Sequence, residues 1–426
     1  MKKTFKNALT STLCLAVSVI MIMLSSCAGN DTATTSATSA EKTTISENTS
    51  ITSATSAEKT TVSENTSVTS SETKENATTT KNEQSADKKT SANKTNSAKS
   101  GVSAKEFVKN IKCGWNLGNT FDSHKTDVKN PTVNEIETSW GAPTTTKAMI
   151  DEVSRAGFNA IRIPVTYSTF TTKSNGKYTV DEKWLKRVKE VVNYAYSRNL
   201  YIIINMHHDD DTWLDISKTG KDWEEIKTRY KQIWKQVATY FKNYNEKIIF
   251  EGMNELVGKN ADGNDDWWGQ TDAPFEHLNE LYKIFVDTVR ATGGKNESRY
   301  LMISTLGAQW YAHQLSKVTI PNNDDKVIVD VHWYTESTDA TSIESTMQVI
   351  ADYSDKFPII LGECGIQNQR DDATKKAWAK AYVGTANKLG LACFIWDDAG
   401  NYAVMDRKNL TWHSNDLVKT FVNLSK

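Results

Sequence analysis

The sequence has no excess of charge of either sign. Its 51 lysines and arginines nearly balance 52 aspartates and glutamates, so the formal net charge is −1 over 426 residues. Proteins that bind DNA or RNA through the phosphates need a basic surface, and this balance does not supply one. The sequence therefore predicts no nucleic-acid partner.

Cysteine is also scarce, with five residues in the whole chain. Two of them, Cys14 and Cys27, belong to the apolar N-terminal segment. The other three leave room for at most one disulfide, and no spacing is typical of a zinc site. Each lies in an apolar run, so we expect three buried thiols rather than a disulfide framework: Cys113, Cys364 and Cys393.

Aromatic residues are absent from positions 28 to 100, where Ser, Thr, Asn, Glu and Lys dominate. Within this stretch, the segment 35–51 recurs as 52–68 with only two Ile/Val differences. Such a composition cannot bury enough apolar surface to offset the entropy of ordering the chain. The sequence predicts a disordered Ser/Thr-rich linker over 28–100 that gives the following domain reach from the cell envelope.

The first 27 residues have the pattern of a lipoprotein-type signal peptide. Lysines at 2, 3 and 6 precede an apolar stretch at 13–24, which is short for a membrane span. The stretch ends in Leu-Ser-Ser-Cys at 24–27, which resembles a bacterial lipobox in which Cys27 is lipidated. The alternative is an ordinary signal peptide cut nearby. Either reading predicts a secreted or cell-surface protein, and the lipobox reading gives it a lipid anchor as its only membrane contact.

Beyond position 100, short apolar runs alternate with longer helix-like segments. Runs typical of buried strands occur at 111–117, 160–165, 201–207, 248–255, 300–304, 327–334, 358–363 and 391–397. Helix-like segments lie at 145–156, 181–198, 223–243, 275–291, 342–353 and 374–389. Strands that recur at intervals of about 40 residues predict one α/β domain over 101–426, a (β/α)8 or TIM barrel. A doubly wound sheet is less favoured, because 114–119 is not the G-x-G-x-x-G turn typical of that fold.

Polar and aromatic side chains stand toward the carboxyl ends of these apolar runs. The carboxyl ends of all barrel strands meet at one face, and that face carries the active site. The sequence therefore predicts an active site assembled from several strands. The residues concerned are Arg162, His207, His208, Asn254, Glu255, His332, Trp333, Tyr334, Glu363, Trp396 and Asp397.

Two of these residues, Glu255 and Glu363, end the fourth and seventh runs. A pair of carboxylic acids facing each other suits glycoside hydrolysis, with one acid as proton donor and the other as nucleophile or base. Either glutamate alone could instead cap a helix or pair with Arg162. The presence of both glutamates at matching strand ends favours the catalytic interpretation.

Seven short motifs follow one another along the chain after the linker. They are Gly-Trp-Asn-Leu-Gly-Asn-Thr at 114–120, Trp-Gly at 140–141, Ile-Arg-Ile-Pro-Val at 161–165, Met-His-His at 206–208, Met-Asn-Glu at 253–255, Val-His-Trp-Tyr at 331–334 and Gly-Glu at 362–363. Their order resembles glycoside hydrolase family 5, and within it the cellulase and xyloglucanase branch called subfamily 4. The resemblance implies a retaining endo-β-1,4-glucanase with a (β/α)8 fold, a polysaccharide substrate, no cofactor and no metal ion.

The resemblance also implies roles for the site residues. Glu255 would be the acid/base, with a pKa raised so that it begins the reaction protonated. Glu363 would be the nucleophile, kept ionised by hydrogen bonds from Arg162 and Tyr334. Asn254 would hold the 2-hydroxyl of the sugar.

Five further residues complete the expected substrate site. His332 would lie beside the acid/base, Trp396 would stack beneath a glucosyl ring, and Asn116 would bind substrate. His207 matches a family histidine, and His208 would contact sugar in an adjacent subsite. Because neighbouring residues in a strand point to opposite faces, one of these two histidines could instead be structural.

Three short segments at the edge of the cleft depart from the family pattern, so the sequence does not determine which polysaccharide is the substrate. Leu256 replaces the usual proline, Asp398-Ala399 the usual Asn-Gly, and Trp333-Tyr334-Thr335-Glu336 a tyrosine-rich loop. The alternatives are a xyloglucanase or β-mannanase with the same pair, or a non-catalytic surface glycan-binding protein. We expect a monomer in each case.

Overall fold

A computed structural model describes residues 101–426. In this part of the chain eight parallel strands close into a barrel, each pairing with its neighbour in sequence and the last with the first. The predicted fold is confirmed, whereas the predicted signal peptide and linker lie outside the described residues. The strands are β1 Cys113–Asn116, β2 Ala160–Ile163, β3 Tyr201–Asn205, β4 Ile248–Glu251, β5 Leu301–Ser304, β6 Val327–His332, β7 Ile359–Cys364 and β8 Ala392–Ile395.

A helix follows each strand. These helices are α1 Lys147–Ala156, α2 Glu182–Ser197, α3 Gly220–Phe241, α4 Ala273–Ala291, α5 Ala312–Ser316, α6 Ala340–Ala351, α7 Asp372–Lys388 and α8 Asn415–Leu424. Sequence reasoning missed α5, which is too short to show a helical period, and α8. The signal for α8 was present, because Ser414 caps it and Leu417, Val418, Phe421 and Val422 form its buried face. No helix within 101–426 is long and apolar enough to cross a membrane.

The barrel interior changes from apolar to polar along the strands. Side chains two positions apart on a strand share a face, so each strand contributes to successive interior layers. The lower layer consists of Ala160, Ile203, Ile249, Met302, Ile328 and Ile360. The next layer, two residues further along each strand, consists of Arg162, Asn205, Glu251, Ser304, Asp330 and Gly362, and its side chains are fully or almost fully buried. A charged layer inside the barrel thus lies directly beneath the predicted site.

Several strands end earlier than the apolar runs predict. β3 ends at Asn205 rather than 207, and β4 ends at Glu251 rather than 255. On these two strands the residues expected to act on substrate therefore follow the last paired residue, where the chain leaves the barrel; they are His207, His208, Asn254 and Glu255. The ladder stops there because the backbone turns outward into loops over the carboxyl ends of the strands.

The three cysteines of the described chain, Cys113, Cys364 and Cys393, are buried and carry no disulfide. The expectation of small buried thiols is confirmed.

Candidate active site

Two carboxylates face each other across the mouth of the barrel. Glu255 follows β4 and Glu363 lies in β7, and one oxygen of each lies within 4.8 Å of the other. His332, at the end of β6, contacts both, with its Nδ1 2.7 Å from Glu255 Oε1 and 3.7 Å from Glu363 Oε2. The structure therefore brings together the pair that sequence reasoning selected.

Glu363 is held by hydrogen bonds at both oxygens. Arg162 Nη1 donates to its Oε1 at 2.7 Å, and the Tyr334 hydroxyl donates to its Oε2 at 2.7 Å. Burial raises the pKa of this carboxyl, the charges of His332 and Arg162 oppose the rise, and the nearby Glu255 adds to it. The pKa stays above its ordinary value, so Glu363 ionises only at a pH higher than an exposed glutamate requires.

Arg162 is the centre of the buried network under this pair. Its Nε and Nη2 donate to the two oxygens of Glu251, both at 2.7 Å, and neither side chain is exposed. Sequence reasoning missed Glu251. The available signal was a single acid inside an apolar strand opposite an arginine that needed a carboxylate partner.

The same guanidinium also orients two asparagines. It donates to Asn254 Oδ1 at 2.7 Å, which leaves the Asn254 amide nitrogen without a hydrogen bond from the described chain and free for a sugar hydroxyl. Asn116 is different, because it is fully buried and donates to Gly362 O at 3.0 Å while accepting from Arg162 at 3.1 Å. The prediction that Asn116 binds substrate is therefore wrong, and this residue instead supports Arg162.

The acid/base candidate is more solvated than its partner, and its pKa does not follow the prediction. The Glu255 side chain is 31% exposed, whereas that of Glu363 is 6% exposed. Burial raises the pKa of Glu255, but the hydrogen bond and charge of His332 outweigh it, with help from His208 and Arg162, and the pKa is lowered. The raised pKa expected for the acid/base is thus wrong for this structure, since a cationic histidine lies beside it.

His332 carries the proton that Glu255 lacks. Burial lowers the pKa of its ring, but the negative charges of Glu363 and Asp330 and the hydrogen bonds to Asp330 and Glu255 outweigh burial. Its pKa is raised well above the ordinary histidine value. Glu255 and His332 therefore hold one proton between them, across the 2.7 Å contact.

His207 and His208 lie beyond the end of β3, so the alternation of a strand does not govern them. Their rings are 4.4 Å apart, and the expectation that they point to opposite faces is wrong. The His207 ring is parallel to Trp396 at 5.8 Å and accepts a hydrogen bond from Asn205. His208 is half-buried and lies 5.4 Å from the exposed ring of Trp140.

Trp396 was predicted to stack beneath a glucosyl ring. It follows β8, is partly exposed and packs against Gly118, where an added Cβ would lie 2.5 Å from the indole. Gly118, the second glycine of the first family motif, is therefore explained by the close approach of Trp396, because any side chain would displace this ring.

Two groups among residues 101–426 could share a cation on distance alone. One is Asp122, His207 and His208, and the other is Glu255, His332 and Glu363. The Asp122 carboxylate already accepts backbone hydrogen bonds from Asn119 and Thr120. In the second group Glu255 already contacts His332 and Glu363 already accepts from Arg162, so we assign no metal ion to either group.

The comparison with known families agrees with the geometry. The model of the cellulase family, glycosyl hydrolase family 5, matches residues 121–401. The chain belongs to glycoside hydrolase family 5. The predicted family and enzyme class are thereby confirmed.

Similar proteins place this family 5 hydrolase among endoglucanases. Endoglucanase 1 of Ruminococcus albus is 36% identical over 352 residues, which are 76% of this chain and 82% of that protein. The cellulase/esterase CelE of Acetivibrio thermocellus is 36% identical over 345 residues, or 75% of this chain, but the match spans only 40% of CelE.

Two solved structures that are similar in fold are also endoglucanases. A GH5-4 broad specificity endoglucanase from Ruminococcus champanellensis with bound cellotriose has a TM-score of 0.71 and 33% identity, covering 76% of this chain and all of that one. XEG5A, a xyloglucan-specific endo-β-1,4-glucanase in complex with cellotriose, has a TM-score of 0.69 and 35% identity, covering 75% of this chain and 98% of that one. The predicted resemblance to subfamily 4 is confirmed.

Proposed function

We propose that this protein is a retaining endo-β-1,4-glucanase, with Glu363 as the nucleophile and Glu255 as the acid/base. The observation that carries the proposal is the separation of the two carboxylates, whose nearest oxygens lie within 4.8 Å. Retaining enzymes have carboxyl groups about 5–5.5 Å apart, whereas inverting enzymes keep about 6.5–9.5 Å to admit a water molecule. The short separation supports double displacement.

In the first step Glu363 attacks the anomeric carbon while Glu255 gives its proton to the leaving oxygen. Arg162 and Tyr334 hold the nucleophile in place through its two oxygens. Asn254, fixed by Arg162, offers its amide to the 2-hydroxyl, a contact that strengthens in the transition state. In the second step Glu255 accepts a proton from water, which attacks the glycosyl-enzyme and restores the original configuration.

Exposed aromatic rings in two loops at the carboxyl ends of the strands support action within a polysaccharide chain. Trp140, in the loop after β1, is 37% exposed, and Trp268, in the loop after β4, is 44% exposed. Flat aromatic faces suit the faces of sugar rings. Two exposed rings in loops at the carboxyl ends of the strands favour an extended substrate over a single terminal sugar.

A substrate panel tests the proposal. We expect reducing-sugar release from carboxymethylcellulose, with xyloglucan and glucomannan measured in parallel because solved relatives include a xyloglucan-specific enzyme. Proton NMR of the first product should show the β-anomer before mutarotation. An α-anomer would contradict the retaining mechanism, and no release from any of these polymers would favour a glycan-binding protein.

The rate should have a bell-shaped dependence on pH. As the pH falls, Glu363 gains a proton, and because its pKa is raised the acid limb should lie above the ordinary glutamate value of 4.5. As the pH rises, the proton shared by Glu255 and His332 is lost, and the raised pKa of His332 puts the alkaline limb well above 6.5. The pH profile of kcat/KM reports these free-enzyme groups. An acid limb at or below 4.5 would contradict this assignment.

We also propose that the protein is exported and anchored through a lipid on Cys27, and that it acts as a monomer. The lipobox-like sequence at 24–27 supports the anchor, and the assembly of the whole pair from one chain supports the monomer. Cys27→Ser should move the enzyme from the membrane fraction to the medium. Unchanged membrane retention would overturn the anchor, and light scattering would measure the mass.

A further inference from the structure

His332 lies between two carboxylates, one at each ring nitrogen. Nδ1 is 2.7 Å from Glu255 Oε1, and Nε2 is 3.0 Å from Asp330 Oδ2. Asp330 is two residues earlier on β6, so both side chains point into the barrel. Asp330 is fully buried and has no place in the two reaction steps described above.

The second oxygen of Asp330 fixes the orientation of this carboxylate. Gly362, the residue before the nucleophile, donates its backbone N–H to Asp330 Oδ1 at 2.9 Å. A Cβ at position 362 would lie 2.2 Å from the same oxygen, so only glycine admits the carboxylate here. Asp330 therefore cannot rotate without leaving either a buried N–H or the His332 ring without its acceptor.

This arrangement decides which nitrogen of His332 exchanges a proton. An ionised carboxylate only accepts hydrogen bonds, so Nε2 must keep its hydrogen to bond Asp330. Nδ1, which faces Glu255, is then the one ring nitrogen at which a proton can come and go. We propose that Asp330 is a positioning residue that fixes this His332 tautomer and keeps an exchangeable proton at Nδ1 for the acid/base Glu255. The inference rests on the proposed function and extends its proton chemistry.

The step involves one proton and no change of oxidation state. The N–H bond at Nδ1 breaks, an O–H bond forms on Glu255, and the opposite charges of the imidazolium and the carboxylate both disappear. Glu255 then passes a proton to the leaving oxygen of the substrate. When Glu255 takes a proton from water in the second step, His332 can recover its own through the same contact.

The titratable groups around His332 come from four strands. Asp330 is on its own strand, Glu255 follows β4, Glu363 is on β7, and His207 follows β3. Burial and the charges of neighbouring His208, Arg162 and His332 lower the pKa of His207 well below its ordinary value, so it stays neutral. Among residues 101–426 only Asp330 acts on Nε2 through a hydrogen bond, so its removal changes the tautomer as well as the charge.

Asp330→Asn is the test. The Gly362 N–H needs an acceptor, so the new amide should turn its oxygen to Gly362 and its NH2 to Nε2 of His332. The neutral ring would then carry its hydrogen on Nδ1 rather than Nε2. ¹⁵N NMR of the full chain should show this exchange of tautomers, and the alkaline limb of kcat/KM should fall by about 1–3 pH units because an opposite charge is lost.

Two substrates with different leaving groups distinguish a loss of proton delivery from a general loss of structure in the active site. Asp330→Asn should lower kcat/KM for cellotetraose by about 10-fold or more, since general acid catalysis contributes about 10²–10⁴-fold. It should leave kcat/KM for 2,4-dinitrophenyl cellotrioside nearly unchanged, because that leaving group needs no proton. Equal losses on both substrates with an unmoved alkaline limb would show that Asp330 is only structural.

Asp324→Asn is the matched control. Asp324 is buried just before β6 and accepts from Arg290 Nε at 2.9 Å, far from the pair, so the control should leave the tautomer and the leaving-group dependence unchanged. If Asp330→Asn does not fold, ¹⁵N NMR of the wild-type protein still tests the proposal. A neutral His332 with its hydrogen on Nδ1 would overturn it. Failure of wild type to cleave either substrate would instead refute the proposed function and leave the tautomer test intact.

Discussion

Glu363→Gln should lose turnover on every polymer that the wild type cleaves, by about 10⁴-fold or more, because removal of a covalent nucleophile disables both steps. The amide still accepts from Arg162 through its oxygen, and the surrounding contacts remain, so binding should persist. Isothermal titration with cellotetraose and residual rates on carboxymethylcellulose measure the two effects separately. A variant that stays active would show that the nucleophile assignment is wrong.

Azide distinguishes the two glutamates with a matched pair of variants. In Glu363→Ala, azide can enter the space left by the nucleophile and attack an activated β-cellotrioside directly, which gives the α-glycosyl azide. In Glu255→Ala, the glycosyl-enzyme still forms from the activated substrate, and azide then gives the β-product. The opposite pattern of products would reverse the two roles, and rescue of neither would contradict double displacement.

Arg162→Met should lower the free energy of unfolding by about 3–5 kcal/mol near neutral pH, because it leaves two buried carboxylates without their cation. Those carboxylates belong to Glu251 and Glu363, both of which contact the guanidinium at 2.7 Å. Urea unfolding followed by tryptophan fluorescence measures the loss. Arg155→Met is the control, since Arg155 is 69% exposed and its change should stay within about 0.5 kcal/mol.

The effect of Arg162→Met should depend on pH in a defined direction. Burial raises the pKa of Glu251, the charge of Arg162 opposes this rise, and loss of the arginine would raise the pKa further. A carboxyl with a raised folded-state pKa stabilises the fold below its unfolded pKa and loses that contribution as the pH rises. The variant should therefore be closest to wild type near pH ~4. Adding Glu251→Gln should recover part of the loss at neutral pH, and a double variant that is worse than the single one would contradict the buried-charge explanation.

The barrel and the proposed catalytic pair were accessible from the sequence because both depend on local patterns. Apolar runs of strand length that alternate with amphipathic helices specify a barrel, and a short motif at the end of a run identifies a strand-end residue. Glu255 and Glu363 were found in this way. The helix α5 was missed because five residues show no period.

Which residues form the layer beneath the pair, and which partners they contact, could be determined only from the tertiary structure. Asn116 carries a family motif, yet its side chain is buried under Arg162, because the position of its Cβ on a strand determines whether it faces the cleft. Glu251 and Asp330 are acids inside apolar strands, and their partners lie 89 and 32 residues away along the chain. Sequence alone identified the two glutamates proposed to react, since motif and strand end are local. Only the fold set their protonation, because the pKa of Glu255 depends on His332, a cation 77 residues away in sequence and 2.7 Å away in space.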